Sequence, residues 1–293
     1  MTTAYATSGL AHSTNADFQA WTTELMGLLD TVGLTQTADT GQFTPASASI
    51  PATNATVYQI RYLNDSLHGT KPLYLKIECG TDATSGRPAI WVTAASATNG
   101  AGTLSGTTYF ARAKITSNFT ISAGSFWTGA CVLPGFFFMA WKRGAQATAY
   151  GSTPLFAVCR TADASGTPTS AGFYFYATNS GRADRTTYIS AATSDSVAYA
   201  CSPGPAASTL ISGAPQVFRH FGYQPDVACS PFALSFFTSE IGDLSTFTAT
   251  PIGVTSRTYL ALGGSYGPTH AGVAASSGTI VIEPSFRLAL QWE

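Results

Sequence analysis

Residues 57–78, VYQIRYLNDSLHGTKPLYLKIE, decide the fold of this chain. Apolar and polar side chains alternate over Val57–Leu63 and again over Leu73–Glu78. The residues between them, Asn64–Pro72, include the Asn, Asp, Gly and Pro that favour turns. A third alternating stretch, Ala89–Ala94, follows the next turn. The pattern predicts three antiparallel strands in a small sheet.

An amphipathic helix is predicted ahead of this sheet, from about Asp17 to Val32, with Asn15 as its N-cap and Gly33 at its end. Its apolar side chains follow three-and-four spacing along one face. This face resembles a two-heptad seam, so it is a candidate subunit interface that could pair with copies of the chain. Packing on the chain's own sheet is the simpler alternative, and we favour it. The candidate interface residues are Phe18, Trp21, Leu25, Leu28 and Val32.

The rest of the chain predicts an arm and then many short strands. Residues Thr35–Thr56 are rich in Thr, Ala, Ser and Pro without periodicity, which indicates an extended arm or linker. Beyond a turn at Asn99–Gly102, β-rich segments alternate with turn residues, as is typical of a sandwich or barrel. The predicted strands are Tyr109–Thr116, Gly135–Arg143, Leu155–Arg160, Gly172–Ala177, Thr186–Ala191, Gln216–Phe221, Phe232–Phe237, Thr258–Gly263 and Thr279–Leu290.

The predicted fold is therefore mainly β: an N-terminal helix with a small antiparallel sheet, followed by a larger antiparallel β-sandwich or barrel. We divide the chain into three regions. Residues 1–56 form the helix and extended arm, residues 57–106 form the small sheet that packs with the helix, and residues 107–293 form the larger domain.

The composition favours a protein that works within an assembly. Charged residues make up only 10% of the 293 residues, against about a quarter in ordinary globular proteins, and the net charge is -1. Polarity comes instead from Thr, Ser, Asn and Gly. Because net charge opposes association, a surface of hydroxyls and amides suits a chain that packs permanently against neighbours.

Charge and hydropathy also argue against two classes of partner. The longest basic run is the pair Lys142–Arg143, which is too little to attract a phosphate backbone, so nucleic acid is not an expected partner. The N-terminus has no leader pattern and no stretch is long and apolar enough for a membrane span. We therefore expect a soluble protein without membrane insertion. The odd number of widely spaced cysteines indicates reduced, buried thiols at Cys79, Cys131, Cys159, Cys201 and Cys229.

The motifs that could carry catalysis or metal binding are weak. Gly263–Gly267 fits the G-x-S-x-G pattern of a nucleophile elbow, but Pro268 and Gly272 follow where a helix is needed, and no histidine lies beyond His270. We predict a turn there. The histidines are too dispersed to indicate a metal site, and no phosphate-binding glycine motif occurs. The histidines are His12, His68, His220 and His270.

A polysaccharide depolymerase would need two carboxylates across a groove, and Glu240 with Asp243 is the best-placed pair. Spacing does not single them out from the other acidic residues of the β-rich part, which are Asp184, Asp195 and Asp226. Trp91, Trp127 and Trp141 could form a sugar-stacking platform, although roles in the core are favoured. The sequence thus predicts a protein without catalytic activity, cofactor or metal.

Two segments resemble virion structural proteins of tailed bacteriophages. The first is Tyr58–Gly106, with YQIRYLNDSLHGTKPLYLKIECGT followed by RPAIWVTAASATNGAGTLSG, and the second is SRTYLALG at Ser256–Gly263. The shared pattern is a strand ending in an aromatic-rich Asn/Asp turn, a strand ending near I-E-x-G, a P-A-I strand and a closing Gly-Ala-Gly loop. This pattern of strands and turns covers about half of the chain and transfers no site residues.

The resemblance implies a subunit of the phage particle in the tail tip, baseplate or fibre region, present in several symmetry-related copies. Its partners would be other virion proteins and copies of itself, and the chain would be made in the host bacterial cytoplasm. Two alternatives stay open. One is a module that binds a glycan or protein receptor on the host surface, and the other is a capsid decoration protein.

Overall fold

The structure is a computed structural model, and it describes residues 2–6, 13–83, 86, 88–115, 128–133, 136–141, 155–162, 168–177, 189–190, 217–221, 231–238, 249–251, 258–266 and 286–291. These residues are mostly β, with the α-helix α1 at Asn15–Thr31 and a 3-10 turn at Pro45–Ser47. The strands are β1 (Thr2–Ala6), β2 (Leu34–Gln36), β3 (Thr56–Leu63), β4 (Tyr74–Thr81), β5 (Pro88–Thr98), β6 (Leu104–Lys114), β7 (Thr128–Leu133), β8 (Phe136–Trp141), β9 (Leu155–Ala162), β10 (Pro168–Ala177), β11 (Ile189–Ser190), β12 (Val217–Phe221), β13 (Pro231–Thr238), β14 (Ala249–Pro251), β15 (Thr258–Tyr266) and β16 (Phe286–Gln291).

The strands form three antiparallel sheets. The first, which we call the central sheet, has the order β2-β3-β4-β5-β6. The second has the order β1-β7-β8-β9-β10-β11, and the third has the order β12-β13-β16-β15-β14. None of the helices in the described ranges is long and apolar enough to cross a membrane.

The helix forms where the sequence predicts it, but it begins with a different cap. Thr14 is the N-cap: its hydroxyl accepts a hydrogen bond from the backbone N–H of Asp17, and the Asp17 carboxylate accepts one from the N–H of Thr14. This reciprocal capping box satisfies two backbone donors at once, so the prediction of Asn15 as the cap is wrong. Asn15 lies in the first turn, and its side-chain oxygen accepts from the N–H of Ile50 at 2.9 Å. Gly33 ends the helix as predicted, with a φ of 89°.

The three strands predicted from residues 57–94 are confirmed as β3, β4 and β5, paired in antiparallel register. The sheet is wider than predicted, because β2 and β6 add a strand at each edge. The boundary drawn after Gly106 falls inside β6, since the Asn99–Gly102 turn leads directly into that strand. Gly106 has a φ of 71° and lies where the pairing with β5 is irregular.

Residues 37–43, which fall in the predicted arm, lie along β3 and are held by backbone and side-chain hydrogen bonds. The N–H of Thr37 donates to the carbonyl of Ile60 at 2.9 Å, and the N–H of Phe43 donates to the carbonyl of Tyr58 at 3.1 Å. Between these contacts the side-chain amide of Gln42 takes the place of a backbone hydrogen-bond partner for β3. Its oxygen accepts from the N–H of Ile60 at 2.7 Å, and its nitrogen donates to the carbonyl of Thr37 at 2.8 Å. Residues 38–41 take no part in this pairing, and Asp39 and Thr40 instead contact the β5–β6 turn.

One hydrophobic core joins the helix, the central sheet and the second sheet. On the central sheet it takes the side chains of Leu75 and Ile77, which alternate with outward-facing neighbours along β4. On the second sheet, Phe156 and Phe175 pack on Phe110 of β6, with ring centroids 5.6 and 5.3 Å away. Because these rings are fully buried, the two sheets are held together mainly by aromatic contacts.

A buried ion pair also links the two sheets. Arg160 of β9 forms a bidentate contact with Asp65 in the β3–β4 loop, with Nε to Oδ2 at 2.5 Å and Nη2 to Oδ1 at 2.8 Å. The Arg160 side chain has no exposed surface and lies 4.8 Å from the centre of the Phe173 ring. This contact fixes the β3–β4 loop against the second sheet.

Most strands after β6 lie where the sequence predicts them, but the structure contains more strands than predicted. Seven predicted segments appear as β8, β9, β10, β11, β12, β13 and β15, and the predicted strand Tyr109–Thr116 coincides with the second half of β6. Strands β7 and β14, and β1 at Thr2–Ala6, were not predicted. Of the predicted strand Thr279–Leu290, residues 279–285 lie outside the described ranges and the rest belongs to β16. A larger sandwich or barrel over 107–293 stays a prediction, because much of that region is not described.

The turn predicted at Gly263–Gly267 is wrong for the residues that the structure describes. Gly263 to Tyr266 lie within β15, and Ser265 pairs with Arg287 of β16. The pairing is irregular between Ala261 and Ser265, where glycines tolerate the distortion. The serine is therefore part of a strand rather than of a strand-to-helix elbow.

Candidate functional site

An open cleft of about 530 Å³ lies on the face of the central sheet that points away from the core. It is bordered by three segments: the residues after β2, the β3–β4 loop and the β5–β6 turn. Loops held by a rigid sheet are common places for binding residues. We refer to this site as the loop cleft, and we define it by the aromatic floor and polar rim described next.

Three half-buried aromatic side chains form the floor of the loop cleft: Tyr62, His68 and Tyr74. Tyr62 of β3 lies opposite Tyr74 of β4 in the strand register, which brings the two ring centroids to 6.0 Å. The His68 ring lies 4.6 Å from Tyr62 and 5.5 Å from Tyr74. The register of one hairpin therefore gathers an aromatic surface that is open on one side.

The loop that carries His68 is held by Asp65. The Asp65 carboxylate accepts from the N–H of Leu67 at 3.1 Å, and its carbonyl accepts from the N–H of His68 at 3.1 Å. The same carboxylate binds Arg160 of the second sheet. The position of the His68 ring thus depends on a buried contact that lies outside the loop cleft. The Nδ1 atom of His68 is enclosed and has no hydrogen-bond partner among the described residues.

The rim of the loop cleft is polar and uncharged except for Asp39. It is formed by Gln36, Thr37, Asp39, Asn64, Thr98 and Gly100. Asp39 is 7% exposed and joins the two loops on either side, because its Oδ1 atom accepts from the Thr98 hydroxyl and from the N–H of Gly102 at 3.1 Å. The N–H of Thr40 donates to the carbonyl of Gly100 at 3.0 Å, which completes the junction.

The Asp39 carboxylate stays ionised in this setting. Burial acts to raise its pKa, but hydrogen bonds from Thr37, Thr98 and the N–H groups of Gly102 and Gly100 outweigh burial and lower the pKa below its ordinary value of 3.8. The rim therefore carries a negative charge at neutral pH.

The lowered pKa of Asp39 predicts how stability depends on pH. Since the folded-state pKa lies below the unfolded one, Asp39 stabilises the fold fully above about pH 4, and this stabilisation is lost as the pH falls through the folded pKa. We expect Asp39→Asn to be less stable than wild type at pH 7 and to lose less stability between pH 5 and about pH 2. Urea unfolding at a series of pH values measures how the free energy of unfolding of each protein depends on pH. Parallel pH curves for the two proteins would contradict the assignment.

The residues that line the loop cleft offer both apolar and polar surface to a ligand. Aromatic rings supply flat apolar surface, while amide, hydroxyl and carboxylate groups supply hydrogen bonds around it. The described residues contain no group of three or more His, Cys, Asp or Glu side chains that could hold a metal ion. The predicted depolymerase pair, Glu240 and Asp243, lies outside the described ranges, as do Asp184, Asp195 and Asp226.

The five predicted interface residues lie in the chain's own core. Phe18, Trp21, Leu25, Leu28 and Val32 are between 0 and 7% exposed, and the helix packs near β1, β2 and β7. Their contacts in this fold are intramolecular, as in the alternative that we favoured. A role between subunits would require the helix to leave these strands, and it stays an untested prediction.

Other residues considered from the sequence lie away from the loop cleft. Trp91 is partly buried on β5 beneath the Arg112 guanidinium, at 4.7 Å, while Trp141 lies in β8 and Trp127 lies outside the described ranges. Cys79 is a free, buried thiol as predicted, and burial, with a smaller effect of the Glu78 charge, raises its pKa. Of the histidines, His68 lines the loop cleft and His220 lies in β12.

Sequence reasoning missed Asp39, Tyr62 and Tyr74 as site residues. The two tyrosines carried a signal, because facing positions across a predicted hairpin place them side by side. Asp39 carried none, since its partner Thr98 lies 59 residues away along the chain. Comparisons with protein-family models, with curated proteins and with solved structures found no match.

Proposed function

We propose that this chain is a structural subunit of a tailed-bacteriophage particle, located in the tail tip, baseplate or fibre region and acting through its interfaces with copies of itself and with other virion proteins. A capsid decoration protein is the neighbouring possibility. The resemblance of Tyr58–Gly106 to virion proteins supports the proposal, and that segment corresponds to β3, β4, β5 and the start of β6. The proposal includes no catalytic activity and no cofactor.

The observation that carries the proposal is how the few charges are used. Residues 13–83 and 88–115 contain five Lys or Arg side chains, and each one contacts another part of the same chain. Ion pairs with carboxylates neutralise Arg61, Arg112 and Lys114 locally, whereas Lys71 and Lys76 keep their charge. Because only 10% of the residues are charged, little net charge remains to oppose close packing between subunits. The contacts are Arg61 with Asp30, Arg112 with Glu78, Lys114 with Asp82, Lys76 with the Gly102 carbonyl, and Lys71 with the Tyr109 ring.

The finer fold is part of this proposal. The central and second sheets share a buried aromatic layer, and we propose that they form a sandwich whose end is covered by the helix. The helix then belongs to the folding unit rather than to a detachable arm. Deleting residues 1–56 would remove β2 and the helix side of the core, so a loss of incorporation into particles would not separate docking from misfolding.

A stop codon early in this reading frame, in the phage genome that encodes it, gives a cleaner test. We expect particles that lack the chain to be missing part of the tail tip, baseplate or fibres and to lose infectivity. Wild-type protein supplied in trans should restore the missing part and the infectivity. The control is a synonymous change at the same codon. Complete and infective particles made without the chain would contradict a structural role.

Recognition of the host surface is a second candidate function, favoured by the loop cleft. Its aromatic floor is half-buried on one face of the central sheet and is not part of the hydrophobic core. We expect fluorescently labelled protein to bind susceptible cells and not resistant ones. Equal labelling of both, or of neither, would remove this candidate while leaving the structural role untouched.

A further inference from the structure

We propose that the loop cleft binds a neutral saccharide, with one face of a pyranose ring stacked on either Tyr62 or Tyr74, whose ring planes are inclined at 48° to each other, and with the sugar hydroxyls hydrogen-bonded to the rim. This inference rests on the second candidate function and adds the class of ligand and the residues that contact it. It does not depend on the place of the chain in a particle.

The floor has the chemistry that a sugar face needs. A pyranose presents C–H groups on its two faces and hydroxyls around its edge, so it binds flat aromatic surface with polar groups at the margins. Tyr62 and Tyr74 lie 6.0 Å apart and are half-buried, which leaves ring surface open while their backbones are fixed in adjacent strands. A phenol adds a hydroxyl that can reach the ligand edge.

The rim matches the margin of a sugar rather than that of the other ligands that stack on aromatic rings. Single-stranded nucleic acid requires a positively charged groove, yet the lining residues include no Lys or Arg and do include the Asp39 carboxylate. Proline-rich peptides also dock in aromatic-lined grooves, but their side chains present no ring of hydroxyls to a polar rim. Here the amides of Gln36 and Asn64 lie beside the rings and suit a ligand with several hydroxyls, while the Thr37 and Thr98 hydroxyls are bonded to Asp39.

Asp39 predicts a preference between sugars. Its pKa is lowered, so the carboxylate is ionised at neutral pH, and no Lys or Arg is among the residues that line the loop cleft. The nearby Lys76 ammonium does not line the cleft; it donates to the carbonyl of Gly102, whose N–H binds Asp39. A carboxylate on the ligand would be repelled at short range. We therefore expect neutral hexoses and N-acetylhexosamines to bind better than hexuronic acids.

The loop cleft is largely formed before any ligand arrives. Asp39 ties the segment after β2 to the β5–β6 turn, and Asp65 fixes the loop that carries His68. Its volume lies within the roughly 300–1,000 Å³ of small-molecule sites. Because little ordering is left to the binding step, a small sugar can bind without a large entropic cost.

The test is a ligand-observed NMR titration of the full chain with methyl glycosides of a neutral hexose, an N-acetylhexosamine and a hexuronate at pH 7. We expect saturable binding of at least one neutral glycoside and binding of the hexuronate weaker by about tenfold. Tyr62→Ala and Tyr74→Ala should each lower the affinity for the neutral glycoside by about tenfold. Asp39→Asn should reduce the difference in affinity between the neutral glycoside and the hexuronate. Trp91→Ala removes an aromatic side chain from the same sheet outside the loop cleft, so it should bind as wild type does.

Three results would overturn the inference: no saturable sugar binding, unchanged binding by Tyr62→Ala, or binding of a proline-rich peptide but of no sugar. If a tyrosine variant has a shifted urea midpoint, the exposed rim variant Asn64→Ala replaces it, with a smaller expected loss of about threefold. Cell labelling separates host-surface recognition by the chain from sugar binding in the loop cleft. Wild-type labelling that the Tyr62→Ala variant retains would exclude the loop cleft but leave host-surface recognition standing, whereas no labelling by wild type would remove that candidate function.

Discussion

Replacing Asp65 by Asn is expected to lower the free energy of unfolding by about 3–5 kcal/mol. Asp65 is the charged partner of Arg160, whose side chain has no exposed surface. The Nη1 atom of Arg160 already has no hydrogen-bond partner among the described residues, so loss of the carboxylate leaves a buried guanidinium without its counter-charge. A loss of this size is a large part of the stability of a typical domain, roughly 5–15 kcal/mol.

The matched control for this prediction is Asp30→Asn. Asp30 is also the carboxylate partner of a buried arginine, Arg61, but its own side chain is 64% exposed. Arg61 keeps hydrogen bonds to the Leu34 carbonyl at 2.8 Å and to Gln59 at 2.7 Å, so we expect a loss below about 1 kcal/mol. Urea unfolding midpoints of both variants give the comparison. A loss for Asp65→Asn no larger than that for Asp30→Asn would contradict the claim that burial of the Asp65–Arg160 pair makes it costlier to break.

Replacing Gly102 by Ala is expected to cost about 2–5 kcal/mol, for two reasons that add. Gly102 has a φ of 81°, a conformation that is unfavourable for any residue with a Cβ atom. A Cβ at this position would also overlap the Tyr58 hydroxyl and lie 3.0 Å from the Thr40 carbonyl oxygen. The Tyr58 ring is held in place, because its hydroxyl donates to that carbonyl at 3.2 Å and the Lys76 ammonium lies 3.9 Å from its centre.

Gly100→Ala separates the two costs. Gly100 belongs to the same turn and has a φ of 76°, but nothing lies within 4 Å of a Cβ placed there. It should lose only the conformational part, about 1–2 kcal/mol. Thermal unfolding of the two variants measures the difference. If Gly100→Ala costs as much as Gly102→Ala, then close packing of the turn against Tyr58 is not what the position requires.

The helix and the strands of the first hairpins could be predicted because local periodicity determines them. Phe18, Trp21 and Leu25 recur at helical spacing, and the alternation in β3 and β4 gives both the strands and the face that each buries. The N-cap was harder, since Thr14 and Asn15 are both good capping residues. Only the pairing of Thr14 with Asp17 decides between them.

The edges of the central sheet could not be predicted, for physical reasons that are specific to each edge. At one edge, the Gln42 side chain takes the place of strand pairing with Ile60, so residues 37–43 show no alternation. At the other edge, Gly106 interrupts β6 and resembles the end of a domain in the sequence. In each case a tertiary contact or a bulge overrides the local signal.

Only part of the loop cleft could be predicted from the sequence. Tyr62 and Tyr74 become neighbours as soon as the hairpin register is known, and His68 lies in the loop that joins their strands. The rim could not be found in this way, because Asp39 meets Thr98 and Gly102 only after the segment following β2 has crossed the sheet. Contacts between residues far apart in sequence leave no periodic trace.

Under the proposal this chain is encoded by a phage, and quantitative mass spectrometry of purified particles of that phage tests the structural role most directly. We predict a fixed number of copies per particle, several rather than one, that remains through density-gradient purification and high salt. Intensities of known virion proteins in the same sample provide the scale. A chain found only in the cell lysate, or one that is lost from particles in a variable amount on washing, would contradict the proposal.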